Sequence, residues 1–219
     1  MSMFFRKGVI ATTGLFLCIF LLVHLSANAL LLLPEETARG LYNSYSATLR
    51  ESLIISVIAY LIYLSIILHV IYSAIVTYRN RKCRIGKYAV NRKSEYSTWA
   101  SQNMAVLGTL ILIFIVVHLA NFWARVKLGI GEQVGVDSNG NTDVYEVAYL
   151  LFNNIYYMLF YVILMIPLGF HLHHGLKSAF KTLGFYHKKG LKILASVALI
   201  YAIIISVGFG IIPLIVYFK

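Results

Sequence analysis

The segment GFHLHHGLKS, Gly169–Ser178, carries three histidines within four residues near the end of a long apolar run. Three further apolar runs each hold one: His24, His69 and His118. The seventh, His187, sits in a polar stretch. An ionisable group inside a bilayer is costly and is read first as functional. For an imidazole at that depth the choices are ligation of a metal and an interhelical hydrogen bond. Which of the two applies depends on the elements that carry these residues.

Those elements are membrane spans. The chain has 219 residues, 60% of them hydrophobic and 12% charged, with a mean hydropathy of +0.79. Soluble domains are about half apolar and a quarter charged, so a soluble globular class is excluded. Crossing a bilayer takes about 20 helical residues. Five stretches are long enough: span I near Gly8–Leu33, II near Leu53–Thr77, III near Ala100–Trp123, IV near Val147–Gly175 and V near Ile193–Phe218. They form one all-α integral membrane domain, residues 1–219. Span IV is interrupted near its start by Asn153 and Asn154. Span I is too long, and too lacking in a small-residue cleavage site, to be a removed signal peptide. Cys18 lies in a span and Cys83 in a basic loop, so no disulfide is expected, and no CxxCH haem-attachment motif is present.

Charge orients the spans. The N-terminal end, the loop YRNRKCRIGKYAVNRKSE and the segment Lys177–Lys192 hold 14 of the 19 Lys and Arg, with Glu95 their one acid. The other two loops and the C-terminus hold the remaining five bases and seven acids. Basic residues stay on the cytoplasmic side, so the N-terminus is expected inside and the C-terminus outside. Such a basic face suits anionic headgroups and also the docking of a soluble partner.

Depth follows from about 1.5 Å of rise per residue. His24 lies about 24 Å and His118 about 27 Å from the inner ends of spans I and III. His69 is about 12 Å and His171 about 6 Å from the inner ends of spans II and IV. Two imidazoles thus share an outer level and two an inner level. Two stacked bis-histidine haems ask for that arrangement, since each iron takes one imidazole from each porphyrin face. Spans I–IV would then bundle around the two haems. A repeat agrees: GLFLCIFLLVHL from Gly14 and GTLILIFIVVHL from Gly108 both read G-x5-F-x2-V-H-L. This spacing suits two helix faces packing a flat ring from opposite sides. In the span IV cluster, Gly175 lies one turn after His171 on nearly the same face and lets a macrocycle edge approach, while Pro167 bends the helix at this level. His171 is therefore the expected ligand. His174, about 60° away, is the alternative, and His173 points elsewhere.

Five spans, one histidine on each of the first four, and HLHHGLKSAFKTLG after span IV together resemble the five-helix, two-haem cytochrome b subunit of succinate dehydrogenase and fumarate reductase. The resemblance covers nearly the whole chain. It implies His24 with His118 at an outer haem b and His69 with His171 at an inner one, with Gly175 and Gly184 matching the family's glycines. Some members carry a glutamate two residues before the span IV ligand as part of a proton route; here that position is Gly169. The resemblance further implies an iron–sulfur subunit with a flavoprotein on the cytoplasmic face of a bacterial inner membrane. Electrons would pass between them and a membrane quinone, expected to be menaquinone, in an enzyme complex whose dimerisation stays open. Candidate proton donors beside the quinone are Asn28, Glu35, Glu36, Arg50, Glu51 and Arg125. Candidate propionate partners are Arg79 or Lys177 inside and Arg39 or Arg125 outside.

Other classes compete. The cytochrome b of a hydrogenase or formate dehydrogenase is a second haem reading. The cytochrome b of quinol:cytochrome c complexes places two ligands on each of two helices and fits poorly. A histidine-lined metal-ion transporter should also carry acids at mid-membrane depth, and the spans have none. DSNGNTD lacks the glycine and glutamate of a calcium loop and reads as a polar turn. No nucleic-acid partner is expected.

Overall fold

The computed structural model describes residues 2–82, 98–185 and 187–219; Cys83 and Glu95 lie outside them. The described chain is all-helical apart from one isolated β-bridge, Val136 with Thr142. Five helices are long and apolar enough to cross a membrane. Helix α1 (Met3–Asn28) tightens into a 3-10 turn (Ala29–Leu32). Helices α2 (Glu35–Glu51) and α3 (Leu53–Lys82) follow. Span III is α4 (Trp99–His118), a π-helical segment (Leu119–Ala124) and α5 (Arg125–Leu128) in continuity. Then come α6 (Val144–Phe152), α7 (Ile155–Thr182) and α8 (Lys188–Tyr217).

Two expectations are corrected. Span IV does not run from Val147. Asn154 is extended and its side chain accepts from Tyr156 N, which starts α7 afresh and leaves 144–152 as a separate short helix. The stretch between spans I and II is not a loop but α2. Pro34 precedes it, Glu35 and Glu36 occupy its first turn and Arg50 its last, each complementing the helix dipole.

The helices pack as a ring of four with one outlier. Helix α1 lies against α3 and α7, α4 lies against α7, and α3 touches α4 only loosely. Hence α1 faces α4, and α3 faces α7, across the diagonals. Helix α8 stands outside the ring, packed mainly on α7. Buried aliphatic side chains concentrate between α7 and α8, around Met165, Leu168, Leu172, Ala202 and Ile205. No residue of α3 is buried, and Val57, Leu61, Leu64 and Ile71 form an exposed apolar stripe suited to lipid.

The two ends differ in charge. Phe5 contacts Tyr72 and Trp99 contacts Phe170, so the start of α1, the end of α3, the start of α4 and the end of α7 share one end. Arg6, Lys7, Arg79, Arg81, Lys82, Lys177 and Lys181 therefore make a basic end. At the other end Lys219 Nζ donates to the carbonyls of Leu31 and Leu33, tying down the C-terminus. Helix α2 and the segment before α6 cover this acidic end. Asn43, fully buried, donates to Asp143 Oδ1 at 2.8 Å and Asp137 Oδ2 at 3.2 Å, and accepts from Tyr145 N at 2.9 Å. Arg39 Nε donates to Asp143 Oδ2 at 2.8 Å. Burial raises the Asp143 carboxyl, but hydrogen bonds from Asn43, Arg39 and Glu146 N, with the Arg39 charge, outweigh it and hold it below the usual range.

Asn43→Ala strips three hydrogen bonds from this buried network and should cost about 1–3 kcal/mol, read as a lower thermal midpoint in detergent. The Asp143 carboxylate stabilises the cap fully above its unfolded pKa of about 4 and loses that contribution as pH falls through its lower folded value. Proteolysis of the segment before α6 should thus be unchanged from pH 7 to 5 and rise only in stronger acid. A rise already at pH 6 would contradict the network's role.

Candidate functional site

Four imidazoles project into the ring of spans, and the structure joins them in two pairs. His24 of α1 and His118 of α4 have ring centroids 5.8 Å apart across one diagonal. His69 of α3 and His171 of α7 are 6.3 Å apart across the other. Neither His173 nor His174 makes a hydrogen bond or ring contact with either pair among the described residues, so the helical phase of span IV selects His171.

The repeated G-x5-F-x2-V-H-L pattern acquires a physical meaning here. Its glycine and its histidine serve different pairs. A Cβ on Gly14 would lie 3.2 Å from His69 Cε1, and one on Gly108 would lie 3.8 Å from His171 Cε1. Gly14 thus makes room for an imidazole of the lower pair, Gly108 lies beside the other in ordinary van der Waals contact, and the histidine ten residues later belongs to the upper pair. That offset separates the two levels by about 15 Å on both α1 and α4. The phenylalanine stacks under its own histidine: Phe20 on His24 with centroids at 5.1 Å, and Phe114 on His118 at 5.6 Å. Gly175 faces open space, and a Cβ added there would meet nothing within 4 Å. Gly169 packs against Ser206 Oγ of span V, away from the histidines.

Hydrogen bonds orient the rings. Thr13 Oγ1 donates its single proton to Val9 O at 2.6 Å and lies 3.1 Å from His69 Nδ1. With that proton committed, the oxygen can only accept from the imidazole. Nδ1 of His69 therefore carries the proton, and Nε2 keeps a free lone pair. A metal-ligating histidine is commonly held this way, by its other ring N–H. At the upper level Asn28 Nδ2 donates to His24 O at 2.8 Å and lies 3.4 Å from His24 Nδ1. Tyr42 OH of α2 donates to Asn28 Oδ1, which joins the cap of the acidic end to His24. The Nδ1 atoms of His118 and His171 are buried without a hydrogen-bond partner. Directly after His118 the helix widens into its π-helical segment, a distortion frequent at functional sites.

A pair of imidazoles offers two donors and no more. Among the described residues no group of three or more His, Cys, Asp and Glu could hold a metal ion. Zinc in a structural site asks for four protein ligands. A haem iron asks for two, because the macrocycle supplies the rest. With metal–imidazole bonds of about 2 Å and the half-width of each ring added, two axial imidazoles stand about 6 Å apart between centroids. Both observed separations fit that requirement, as do the clearance at Gly14 and the free Nε2 of His69.

The remaining candidates are scattered. Glu35, Glu36 and Glu51 are exposed at the acidic end, and Arg79 is exposed at the basic end. Arg39 is engaged by Asp143 and Glu146. Arg125 pairs with Glu132, while its Nε is buried without a partner. Sequence reasoning missed Thr13 and Tyr42. Thr13 was legible at one remove, since it precedes the repeat's glycine; Tyr42 was hidden by reading α2 as a loop.

In histidine-labelled protein, nitrogen NMR should find His69 with its proton on Nδ1. Thr13→Val removes one acceptor and leaves the Ile10 carbonyl as the other, so it should mix in the other tautomer only partly. An Nε2-protonated His69 in the unsubstituted protein would refute the assignment. Compared with known proteins, the chain matches no family model, no curated protein and no solved structure.

Proposed function

We propose that this chain is the membrane-anchor cytochrome b subunit of a succinate:quinone oxidoreductase or quinol:fumarate reductase, carrying two haems b. The observation that supports it most is the pairing itself: two imidazoles across each diagonal of a four-span ring, at two levels about 15 Å apart. In this reading His69 and His171 hold the haem nearer the basic end, and His24 and His118 hold the one nearer the acidic end. The bound haems supply one-electron transfer across the membrane.

The chain's own residues do the rest. Thr13 fixes the tautomer of His69, and Asn28, braced by Tyr42, holds the backbone of His24. Gly14 clears space for the His69 imidazole. Apolar side chains exclude water and lower the local dielectric, which tunes potential. By the positive-inside rule the basic end faces the cytoplasm of a bacterial cell. There Arg79–Lys82, Lys177 and Lys181 present a field that attracts an iron–sulfur subunit bearing a flavoprotein. The quinone, by family resemblance menaquinone, would react at the membrane edge of the same subunit. A histidine-lined cation path finds less support, because each level offers two donors rather than the larger set a bare cation needs.

The purified protein should show a b-type visible spectrum with two haems per chain. His24→Ala and His118→Ala should abolish one spectral component, and His69→Ala and His171→Ala the other. Gly14→Ala, whose Cβ crowds His69, should weaken the second component, whereas the Cβ of Gly8→Ala meets nothing and should be silent. Loss of one and the same component in His24→Ala and His69→Ala would refute the pairing, and a colourless protein would refute the haems. Co-purification of a flavoprotein and an iron–sulfur protein tests the assignment to a succinate or fumarate complex.

A further inference from the structure

Span I carries an arginine that does not behave as an end-of-span arginine should. Near a membrane edge, long cationic side chains normally extend to water and leave only their stems in the apolar phase. Lys7 does so and is exposed. Arg6 turns inward and is only 8% exposed. Its Nε and Nη1 are buried without any hydrogen-bond partner, and no salt bridge among the described residues includes it. A guanidinium with two of its three nitrogens removed from water and no counter-charge is strongly unfavourable, so this site calls for an anion.

The position of Arg6 says which anion. Arg6, Ile10 and Thr13 recur at i, i+4 and i+7, and so share one face of α1. Thr13 holds the His69 ring on that face. Arg6 is seven residues nearer the basic end, about 10 Å along the helix axis. A planar guanidinium presents paired N–H donors that match a carboxylate in a bidentate fork. Resting on the two-haem reading above, we propose that Arg6 is the binding residue for a propionate carboxylate of the haem held by His69 and His171. Propionates of a haem held there would leave toward the nearer, basic end of the bundle, because charged groups leave the apolar interior by the shortest route. Arg6 would meet them from span I. A lipid phosphate is the competing anion, but it would have to reach a guanidinium whose Nε and Nη1 the protein already buries.

The test is a redox titration of both haem components in membranes carrying the wild-type chain, Arg6→Gln or Arg6→Lys. Loss of the positive charge in Arg6→Gln favours the oxidised iron. The component that His69→Ala abolishes should shift downward by about a tenfold change in its equilibrium, 59 mV for one electron. The component that His24→Ala abolishes should stay unchanged, and Arg6→Lys should restore most of the difference. If both components are present and Arg6→Gln moves neither, or moves both equally, Arg6 has no such role although the two-haem reading stands. If no haem is present, the underlying reading fails instead. A shift reproduced by Glu95→Gln would make that acid the counter-ion and overturn the proposal. Should Arg6→Gln fail to accumulate, redox-difference infrared spectra of wild type and Arg6→Lys, with the haem carboxyls isotopically labelled, decide the matter. A labelled carboxylate band that shifts in Arg6→Lys supports the contact; one that does not move, with a lipid phosphate band moving instead, assigns the guanidinium to a headgroup.

Discussion

An imidazole inside a lipid-facing bundle offers two nitrogens to surroundings with no water, and each must be satisfied by protein or by a bound group. Among the described residues the protein meets that constraint at Nδ1 of two of the four imidazoles and leaves it open at the other two. His69 gives Nδ1 to Thr13, and His24 is held by Asn28. His118 and His171 keep a buried Nδ1 without a partner. Because the four rings meet in pairs across the diagonals, the spans cannot close on one another as tightly as α7 closes on α8. Rings, glycines and a threonine line the interior of the four-span ring, while aliphatic packing is displaced to the α7–α8 contact and to the acidic end.

The acidic end does more than close the bundle. Helix α2 carries Arg39 and Asn43 one turn apart toward Asp143, and Tyr42 toward Asn28. One short amphipathic helix thereby couples an extramembrane polar network to the residue that positions His24. The basic end has no comparable network among the described residues. Its charges are held on the ends of α3 and α7 and the start of α1, where repulsion between them favours an anionic partner. Arg6 is the exception, drawn into the bundle rather than displayed.

Much of this was legible from the residues in order. Span number, the segregation of charge and the two depths of histidine all follow from one-dimensional patterns: hydropathy over about 20 residues and a fixed rise per residue. Phase around span IV was enough to prefer His171 over its neighbours. The misreadings have physical causes. Continuous hydrophobicity carried span IV back to Val147, yet the extended backbone and capping side chain of Asn154 end one helix and start another. Helix α2 was overlooked because its mixed charge reads as a loop, although Pro34, Glu35 and Glu36 spell a helix start.

By itself the sequence determined that five apolar helices form and at what height each imidazole sits, since both depend on local composition and on the constant geometry of an α-helix. Tertiary structure alone decided which helices stand opposite one another, and hence that Gly14 serves His69 while His24, ten residues away, faces His118. It also decided that Phe20 and Phe114 stack on their own histidines and that Arg6 is enclosed while Lys7 is not. Such partnerships depend on the rotation and neighbours of each helix in the bundle, which the order of residues along one span does not specify.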